Sequence, residues 1–256
     1  MMNLPFVIDP MVTRFFLLLL AGHFLSDFLF QSSGIARNKG RKTSALLIHG
    51  WWTYVVHAVV LFPFWNAPVL LWVLVLALVH IGIDWLKPRI HRKDGNSLSG
   101  FFLDQSYHLI TLVALAWLIS GRANLQLAVL TPSNVDPYVK LMVVLGGFAF
   151  NGKGGTAVVR LILDSFPNLS GQLREDRADA YAMGLMIGIL ERFILFLMVL
   201  LGYWSALGFV IAAKSIARFK ELDEKGFADY YLIGTLASVL VALLSGVTVN
   251  LLLGLL

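Results

Sequence analysis

The fold is decided by residues 69–87, which read VLLWVLVLALVHIGIDWLK. An apolar run of this length is typical of a helix that crosses a lipid bilayer, because the hydrocarbon core accommodates about 20 helical residues. The run ends on His80 and Asp84, which are four residues apart and therefore share one face of a helix. Ionisable groups are costly inside a membrane, so this pair indicates either a functional site or a buried contact between helices.

The composition of the whole chain also indicates a membrane protein. Hydrophobic residues make up 58% of the 256 residues and charged residues 14%, and the mean hydropathy is +0.79. The absence of cysteine excludes disulfides, thiolate zinc ligands and thiol nucleophiles. The N-terminus lacks a basic stretch and a cleavage-type site before the first apolar run, so we expect no removable signal peptide.

The apolar runs predict an all-α fold, a polytopic membrane helical bundle of about eight transmembrane helices in two groups of four. The predicted spans cover approximately residues 11–30, 44–63, 68–86, 100–120, 138–166, 179–201, 203–219 and 227–256. Connections rich in Lys and Arg alternate with connections that contain almost none. By the positive-inside rule the basic connections are cytoplasmic, which places both termini in the periplasm. These loops account for the net charge of +5, so it does not indicate a nucleic-acid partner.

Two segments interrupt the apolar runs in the second half of the chain. Residues 121–137 contain two prolines and predict a periplasmic linker between a four-span domain at 1–120 and another at 138–256. The segment 151–155 reads NGKGG within the fifth apolar run, and we expect it to break that helix and to line a cavity. It lacks the spacing of a phosphate-binding P-loop.

Histidines and carboxylates recur at matched depths in the first four spans. All six histidines lie between residues 23 and 108, and the predicted topology brings most of them to the cytoplasmic half of the membrane. Imidazole and carboxylate groups that converge in a helical bundle are typical ligands of a divalent metal, here zinc, manganese or iron(II). They can hold one ion, or two ions bridged by a carboxylate. The candidate metal ligands are His23, Asp27, His80, Asp84, Asp104 and His108.

Three further residues beside this group are candidates for catalysis. His49 is either a further ligand or a general acid or base, and Gln105 and His57 lie on the neighbouring spans. For His57 the alternative is a core histidine whose hydrogen bonds are satisfied. For the His–Asp pairs the alternative is a set of buried hydrogen bonds that hold helices together.

Charged residues of the second half favour an anionic ligand. Cations near the cytoplasmic face can bind the head group of an anionic lipid or a phosphorylated substrate. The alternative is ordinary anchoring at the inner surface, together with a structural pair of a glutamate and a cation. The candidate substrate-binding residues are Arg160, Glu191, Arg192, Lys214 and Arg218.

The ordered motifs resemble those of an uncharacterised multi-pass family of bacterial inner membranes, classified as a domain of unknown function. The resemblance covers about residues 12–120 and implies an inner-membrane location but no activity. More distantly, the His/Asp spans are similar to intramembrane proteins regarded as metal-dependent hydrolases, which implies metal binding by His80 and Asp84 with His23 and His108. The motifs that carry the resemblance are His23-x3-Asp27-Phe28-x2-Gln31, His80-x3-Asp84-x2-Lys87 and Asp104-Gln105-x2-His108.

Three functions are therefore expected in order of preference. The first is a metal-dependent membrane hydrolase or phosphotransfer-type enzyme that acts at the cytoplasmic leaflet on an anionic or lipid-linked substrate. The second is a proton- or divalent-metal-coupled transporter, which the charges of Glu191 and Arg192 near mid-depth favour. The third is a structural or partner-binding membrane subunit. A transporter needs polar residues that reach the outer face, and the outer halves of the first, third and fourth spans have almost none. Membrane lipids are the expected surroundings, and the sequence does not predict an oligomeric state.

Overall fold

The computed structural model describes residues 9–90, 97–120, 125–166, 178–220 and 225–256, and its regular structure in these ranges is helical. Two π-helical turns belong to this architecture: Leu25–Phe30 extends the first helix, and Phe150–Gly154 joins the sixth helix to the seventh. The α-helices are α1 (Pro10–Phe24), α2 (Ser33–Asn38), α3 (Thr43–Val60), α4 (Ala67–Ile90), α5 (Leu98–Ser120), α6 (Pro132–Ala149), α7 (Gly155–Asp164), α8 (Ala178–Leu200), α9 (Ser205–Ala217) and α10 (Lys225–Leu253).

Within the described ranges, 6 helical stretches are long and apolar enough to cross a bilayer. This confirms the predicted class, a polytopic helical membrane protein. The stretches are Pro10–Phe30, Ala67–Lys87, Leu98–Ile119, Pro132–Asp164, Met183–Leu200 and Phe227–Leu253.

The other two predicted spans are helical but differ from the rest. Helix α3 has 18 residues, and its two histidines, two threonines and aromatic side chains lower its hydropathy. Helix α9 has 13 residues. At 1.5 Å per residue it is about 20 Å long, which is shorter than a hydrocarbon core of about 30 Å.

The predicted break in the fifth span is wrong. The backbone stays helical from Pro132 to Asp164 and passes through the π-helical turn Phe150–Gly154. A π turn inserts a residue into the helix and shifts the local hydrogen-bond register, so the segment is a bulge and not a gap. The helix also begins at Pro132 rather than near Tyr138, because proline is well tolerated in the first turn, where its missing N–H has no partner to lose.

The chain divides into two compact units. The first comprises Met1–Gly95, Phe102–Gly146 and Leu252–Leu256, and therefore contains α1 to α4 with most of α5 and α6. The second comprises Asn96–Phe101 and Gly147–Leu251, and therefore contains α7 to α9 with most of α10.

An apolar core fills one end of the first unit, where α1 and α4 begin and α3 and α5 end. Its buried side chains include Phe15, Phe64 and Val69, and the rings of Phe15 and Phe64 meet edge to face. Helix α3 packs against both α1 and α4. The opposite end of the same helices carries the buried histidines and carboxylates, whereas the ion pair of Arg14 with Asp136 at the first end is partly exposed.

Candidate metal centre

Four buried side-chain atoms of the first unit converge on one point. They are Oδ1 of Asp27, Nε2 of His49, Nε2 of His80 and Oδ2 of Asp84. The two imidazole nitrogens are 2.9 Å apart, and each lies 3.3–3.5 Å from both carboxylate oxygens. A tetrahedral zinc site with bonds of about 2.0–2.1 Å has edges of about 3.3 Å. Four of these five distances are close to that edge, and the two imidazole nitrogens lie closer together. We call the four atoms the four-atom group.

Local structure brings these atoms together. His80 and Asp84 share one face of α4, and Asp27 lies in the π-helical turn that ends the first span. His49 approaches from α3, where Gly50 permits close packing because a methyl group at that position would overlap the Ile81 side chain. Gly50 and Ile81 directly follow the two histidines in sequence, so the contact between them sets the distance between the imidazoles.

A second, wider group lies beside the first and shares Asp84 with it. His108 Nε2 is 3.9 Å from Oδ1 of Asp84 and 3.9 Å from Oδ1 of Asp104. Asp84 thus faces the four-atom group with Oδ2 and His108 with Oδ1. A carboxylate that offers one oxygen to each side can bridge two metal ions. Asp84, Asp104 and His108 have the arrangement of a three-ligand site, which leaves coordination positions for water or substrate.

His23 lies at the edge of both groups. It can join Asp27 and His80 in a third possible ligand set, and its Nδ1 is 3.9 Å from Asp27 Oδ1. Its other nitrogen, Nε2, is 3.3 Å from Oε1 of Gln105 and donates to this oxygen when it carries the proton. Gln105 therefore orients an imidazole next to the centre, as residues that bind metal-ligating histidines commonly do.

Two lysines pair with the carboxylates of the centre. Lys39 Nζ lies 2.8 and 2.9 Å from the two oxygens of Asp84, and Lys87 Nζ lies 2.8 Å from Oδ2 of Asp104. Burial lowers the pKa of Lys39, but the neighbouring carboxylates, Asp84 foremost, outweigh burial and hold this pKa above its ordinary value. With neutral imidazoles, three carboxylates face two ammonium groups. The remaining negative charge in an apolar environment favours a bound cation.

His57 lies outside all three ligand sets. Its Nδ1 donates to the backbone oxygen of Thr53 at 2.8 Å, within α3. Its ring packs on Gly22, where a methyl group would lie 2.8 Å from Cδ2. This placement is that of a core histidine, but its hydrogen bonds are only partly satisfied, because Nε2 is buried and makes no hydrogen bond of ordinary geometry within the described residues.

Among the described charged residues of the second unit, Arg192 is the most buried, and its guanidinium bonds to groups of the protein itself. Its Nε donates to the backbone oxygen of Asn151 at 2.7 Å, and Nη2 donates to the oxygen of Gly152 at 3.3 Å. Nη2 also donates to Thr156 Oγ1 at 2.6 Å, and Nη1 donates to Ser238 Oγ at 3.2 Å. Because Asn151 and Gly152 belong to the π turn, Arg192 pairs backbone oxygens in the segment where the helical register shifts.

The other charged residues expected to bind substrate border one cavity of about 580 Å³ in the second unit. Lys214 Nζ forms an ion pair with Glu191 Oε2 at 2.5 Å. Arg160 and Arg218 lie in the same wall, and the Arg192 guanidinium closes part of it. The five residues, which come from three stretches of the chain, thus share one cavity.

Sequence reasoning missed two parts of the metal centre. Lys39 stands among several basic residues of one connection and has no spacing that marks it, although it is the residue that pairs with Asp84. The π turn that carries Asp27 has no recognisable signature in LSDFLF. His49 has no carboxylate four residues away, so its central position follows only from the packing of α3 on α4.

The fold and the centre together define a class, the polytopic helical membrane proteins with a buried His/Asp site. A family model described as a protein of unknown function (DUF3307) matches residues 15–135. The matched segment contains every member of the candidate metal centre and supports the resemblance to an uncharacterised family. No curated protein and no solved structure matches the chain.

Proposed function

We propose that the protein is a metal-dependent membrane hydrolase or phosphotransfer-type enzyme that acts at the cytoplasmic leaflet on an anionic or lipid-linked substrate. The observation that carries this proposal is the four-atom group of Asp27, His49, His80 and Asp84. These four ligand-type atoms are buried among apolar helices, and a cation bound between them would offset the cost of that burial. The mixed imidazole and carboxylate ligands suit zinc, manganese or iron(II).

The four-atom group and the wider group beside it have different roles in the proposed centre. The four-atom group would hold one ion. Asp84, Asp104 and His108 would hold a second ion and supply three ligands to it, so that water and a substrate oxygen could also bind. An ion in such a site lowers the pKa of bound water to about 7 and polarises a phosphoryl or acyl oxygen. Lys39 and Lys87 lie within reach of the same carboxylates and can stabilise negative charge that develops on the substrate.

The charge balance of the centre favours an anionic substrate. One divalent ion changes the net charge of the carboxylates and lysines from one negative to one positive, and a second ion makes it more positive. A phosphate or carboxylate group offsets this charge. In the proposed topology the basic connections are cytoplasmic, both termini are periplasmic and the protein lies in a bacterial inner membrane. The centre then faces the cytoplasmic leaflet.

The apolar end of the first unit favours an enzyme over a transporter. Phe15, Phe64 and Val69 are fully buried there. An ion or a proton that crossed the unit would need polar side chains or water through this layer, and its buried members are mostly aliphatic and aromatic. A site entered from one side does not need such a path.

Hydrolysis by purified protein tests the proposal. The protein is prepared in nanodiscs without a histidine tag, stripped with a chelator and reloaded with zinc or manganese. Turnover of p-nitrophenyl phosphate and a p-nitrophenyl acyl ester is measured. We expect turnover of at least one probe that requires metal and falls at least about 100-fold in Asp104→Asn, while Asp164→Asn, which changes an exposed carboxylate of the second unit, retains it. Metal-independent turnover, equal turnover in Asp104→Asn, or no turnover by the metal-loaded protein would contradict the proposal.

Cysteine labelling tests the orientation separately. The chain has no cysteine, so a single introduced thiol reports its own position. We expect a thiol in Arg41→Cys to react with a membrane-impermeant reagent only from the cytoplasm, and one in Asn134→Cys only from the periplasm; both positions are exposed. The reverse pattern would place the centre at the periplasmic leaflet.

A further inference from the structure

We propose that the cavity of the second unit binds a single-chain anionic amphiphile, in which an alkyl chain carries a phosphate head group. The cavity is lined entirely by residues of the second unit. The proposal therefore goes beyond the metal chemistry and stands or falls without it. Three features of the cavity carry the inference: its apolar walls, its charge and the space left by two glycines.

The walls of the cavity are suited to an alkyl chain. A volume of about 580 Å³ is within the range of about 300–1,000 Å³ that is usual for small-molecule sites. Most of the lining surface is aliphatic or aromatic. The apolar side chains include Val159, Leu163, Leu185, Ile187, Phe209 and Phe227.

The charge of the cavity is positive. Among the described residues, its wall contains four cations, Arg160, Arg192, Lys214 and Arg218, and one carboxylate, that of Glu191. Lys214 forms an ion pair with Glu191, so the described excess comes from the arginines. Guanidinium groups bind phosphate oxygens in bidentate fashion, so the arginines can hold a phosphate head group beside the apolar walls.

Two hydroxyl groups give the cavity hydrogen-bonding capacity. Thr235 is 6% exposed, and its Oγ1 makes no hydrogen bond of ordinary geometry within the described part of the chain. The same is true of Tyr231 Oη. Both residues line the cavity. The Tyr231 hydroxyl also lies close to those of Thr235 and Ser215, and these groups can donate to a phosphate oxygen in the cavity.

Two glycines of α8 leave the space open. A methyl group at Gly184 would meet nothing within 4 Å, and one at Gly188 would meet only Arg192 Nη1, at 3.5 Å. A larger side chain at either position can therefore project into the cavity without overlapping its neighbours. Gly208 on α9 also has open space around it but does not line the cavity. It provides a matched control for substitution by leucine.

The test uses dodecyl phosphate, dodecylphosphocholine and inorganic phosphate with the full chain purified in a neutral detergent. Native mass spectrometry counts bound molecules, and a titration gives the dissociation constants. We expect one dodecyl phosphate per chain, bound at least about tenfold more tightly than dodecylphosphocholine, and no competition by a 100-fold excess of inorganic phosphate. Equal affinity for the two amphiphiles, or effective competition by inorganic phosphate, would overturn the proposal.

Paired variants locate the site. Gly188→Leu should weaken dodecyl phosphate binding at least about tenfold by filling the cavity, whereas Gly208→Leu should not change it. Arg218→Gln should also weaken it about tenfold, whereas Lys220→Gln, which removes an exposed cation outside the cavity, should not. Helix content and melting temperature establish that each variant is folded. Unchanged binding in both Gly188→Leu and Arg218→Gln would overturn the proposal. Dodecyl phosphate binding should persist in His49→Ala, which changes the candidate metal centre. A failure of this proposal can therefore be distinguished from a failure of the proposed metal site.

Discussion

The two units bury ionisable groups in opposite ways. In the first unit, Asp27, His49, His80 and Asp84 direct their polar atoms at one another, at distances that suit a shared cation. In the second unit, Arg192 directs its guanidinium at backbone oxygens of a π turn and at two hydroxyl groups. A buried charge that pairs with backbone atoms is explained by the fold. A cluster of buried histidine and aspartate atoms at these distances can hold a metal ion.

This difference predicts what each site contributes. Arg192 should contribute mainly to stability, because two backbone oxygens and two hydroxyl groups lose a donor without it. The proposed metal centre should contribute mainly to binding, because its groups direct their polar atoms at one another. The following variants test this distinction, in order of decreasing effect.

Replacing Arg192 should have the largest effect on folding. Arg192→Met removes a donor from the oxygens of Asn151 and Gly152 and from two hydroxyl groups. Gly152 O still accepts from Thr156 Oγ1, and each buried group that is left unpaired costs about 1–3 kcal/mol. We expect the free energy of unfolding to fall by at least about 3 kcal/mol, measured by denaturant titration in detergent. Lys153→Met, which changes an exposed cation of the π turn, is the control. A stability loss no larger than the control's would show that the guanidinium is not needed for the fold.

Widening the contact between α3 and α4 should impair the metal centre without changing any ligand. In Gly50→Val the new side chain overlaps Ile81, and overpacking of this kind costs about 1–3 kcal/mol and shifts the backbone. Because His49 and His80 adjoin the contact, we expect metal affinity to fall at least about tenfold. The control is Gly82→Val on α4, where the added side chain meets open space. Equal metal affinity in Gly50→Val and Gly82→Val would show that the contact between α3 and α4 does not control metal binding.

Removing the lysine that pairs with Asp84 should strengthen metal binding. Lys39 Nζ contacts both oxygens of Asp84, so it competes with a divalent ion for the same carboxylate. In Lys39→Met we expect the dissociation constant to fall about tenfold, which corresponds to about 1.4 kcal/mol. Lys42→Met removes an exposed lysine of the same connection and should have no effect. Weaker metal binding in Lys39→Met would indicate that the lysine positions Asp84 rather than competing for it.

His57 should give the smallest effect. It lies outside the ligand sets and bonds to its own helix, so His57→Leu should leave the metal content unchanged. We expect the free energy of unfolding to change by less than about 1.5 kcal/mol, because the substitution approximately conserves volume. Elemental analysis together with denaturant titration checks both values. Loss of metal in this variant would extend the centre one helical turn beyond Thr53.

Helical periodicity explains what could be predicted from the sequence. Apolar runs of span length identify a membrane protein, and the four-residue spacing of His80 and Asp84 places both on one face of α4. The six predicted metal ligands all belong to the three ligand sets of the structure, because each pair lies on one helix face at the same end of the unit. These relations hold between residues of one helix, so their spacing in the sequence is enough to predict them.

Relations between helices could not be predicted in the same way. His49 is central because Gly50 admits Ile81, and no local pattern connects those residues. The NGKGG segment was expected to break a helix, yet the helix continues through it as a π turn. The donor that bonds to the backbone of this turn is Arg192, which lies on another helix. The cavity of the second unit likewise depends on glycines of α8 that face open space only in the folded chain.

The most direct test of the account is the metal content of the purified chain. The wild type and His49→Ala are prepared in parallel with a tag that lacks histidine, in mild detergent without chelators, and analysed for zinc, manganese and iron. The account predicts at least one divalent ion per wild-type chain and loss of that ion in His49→Ala, with both proteins folded. A wild-type chain that binds no ion even after incubation with each metal, or a His49→Ala variant with the same content, would contradict it.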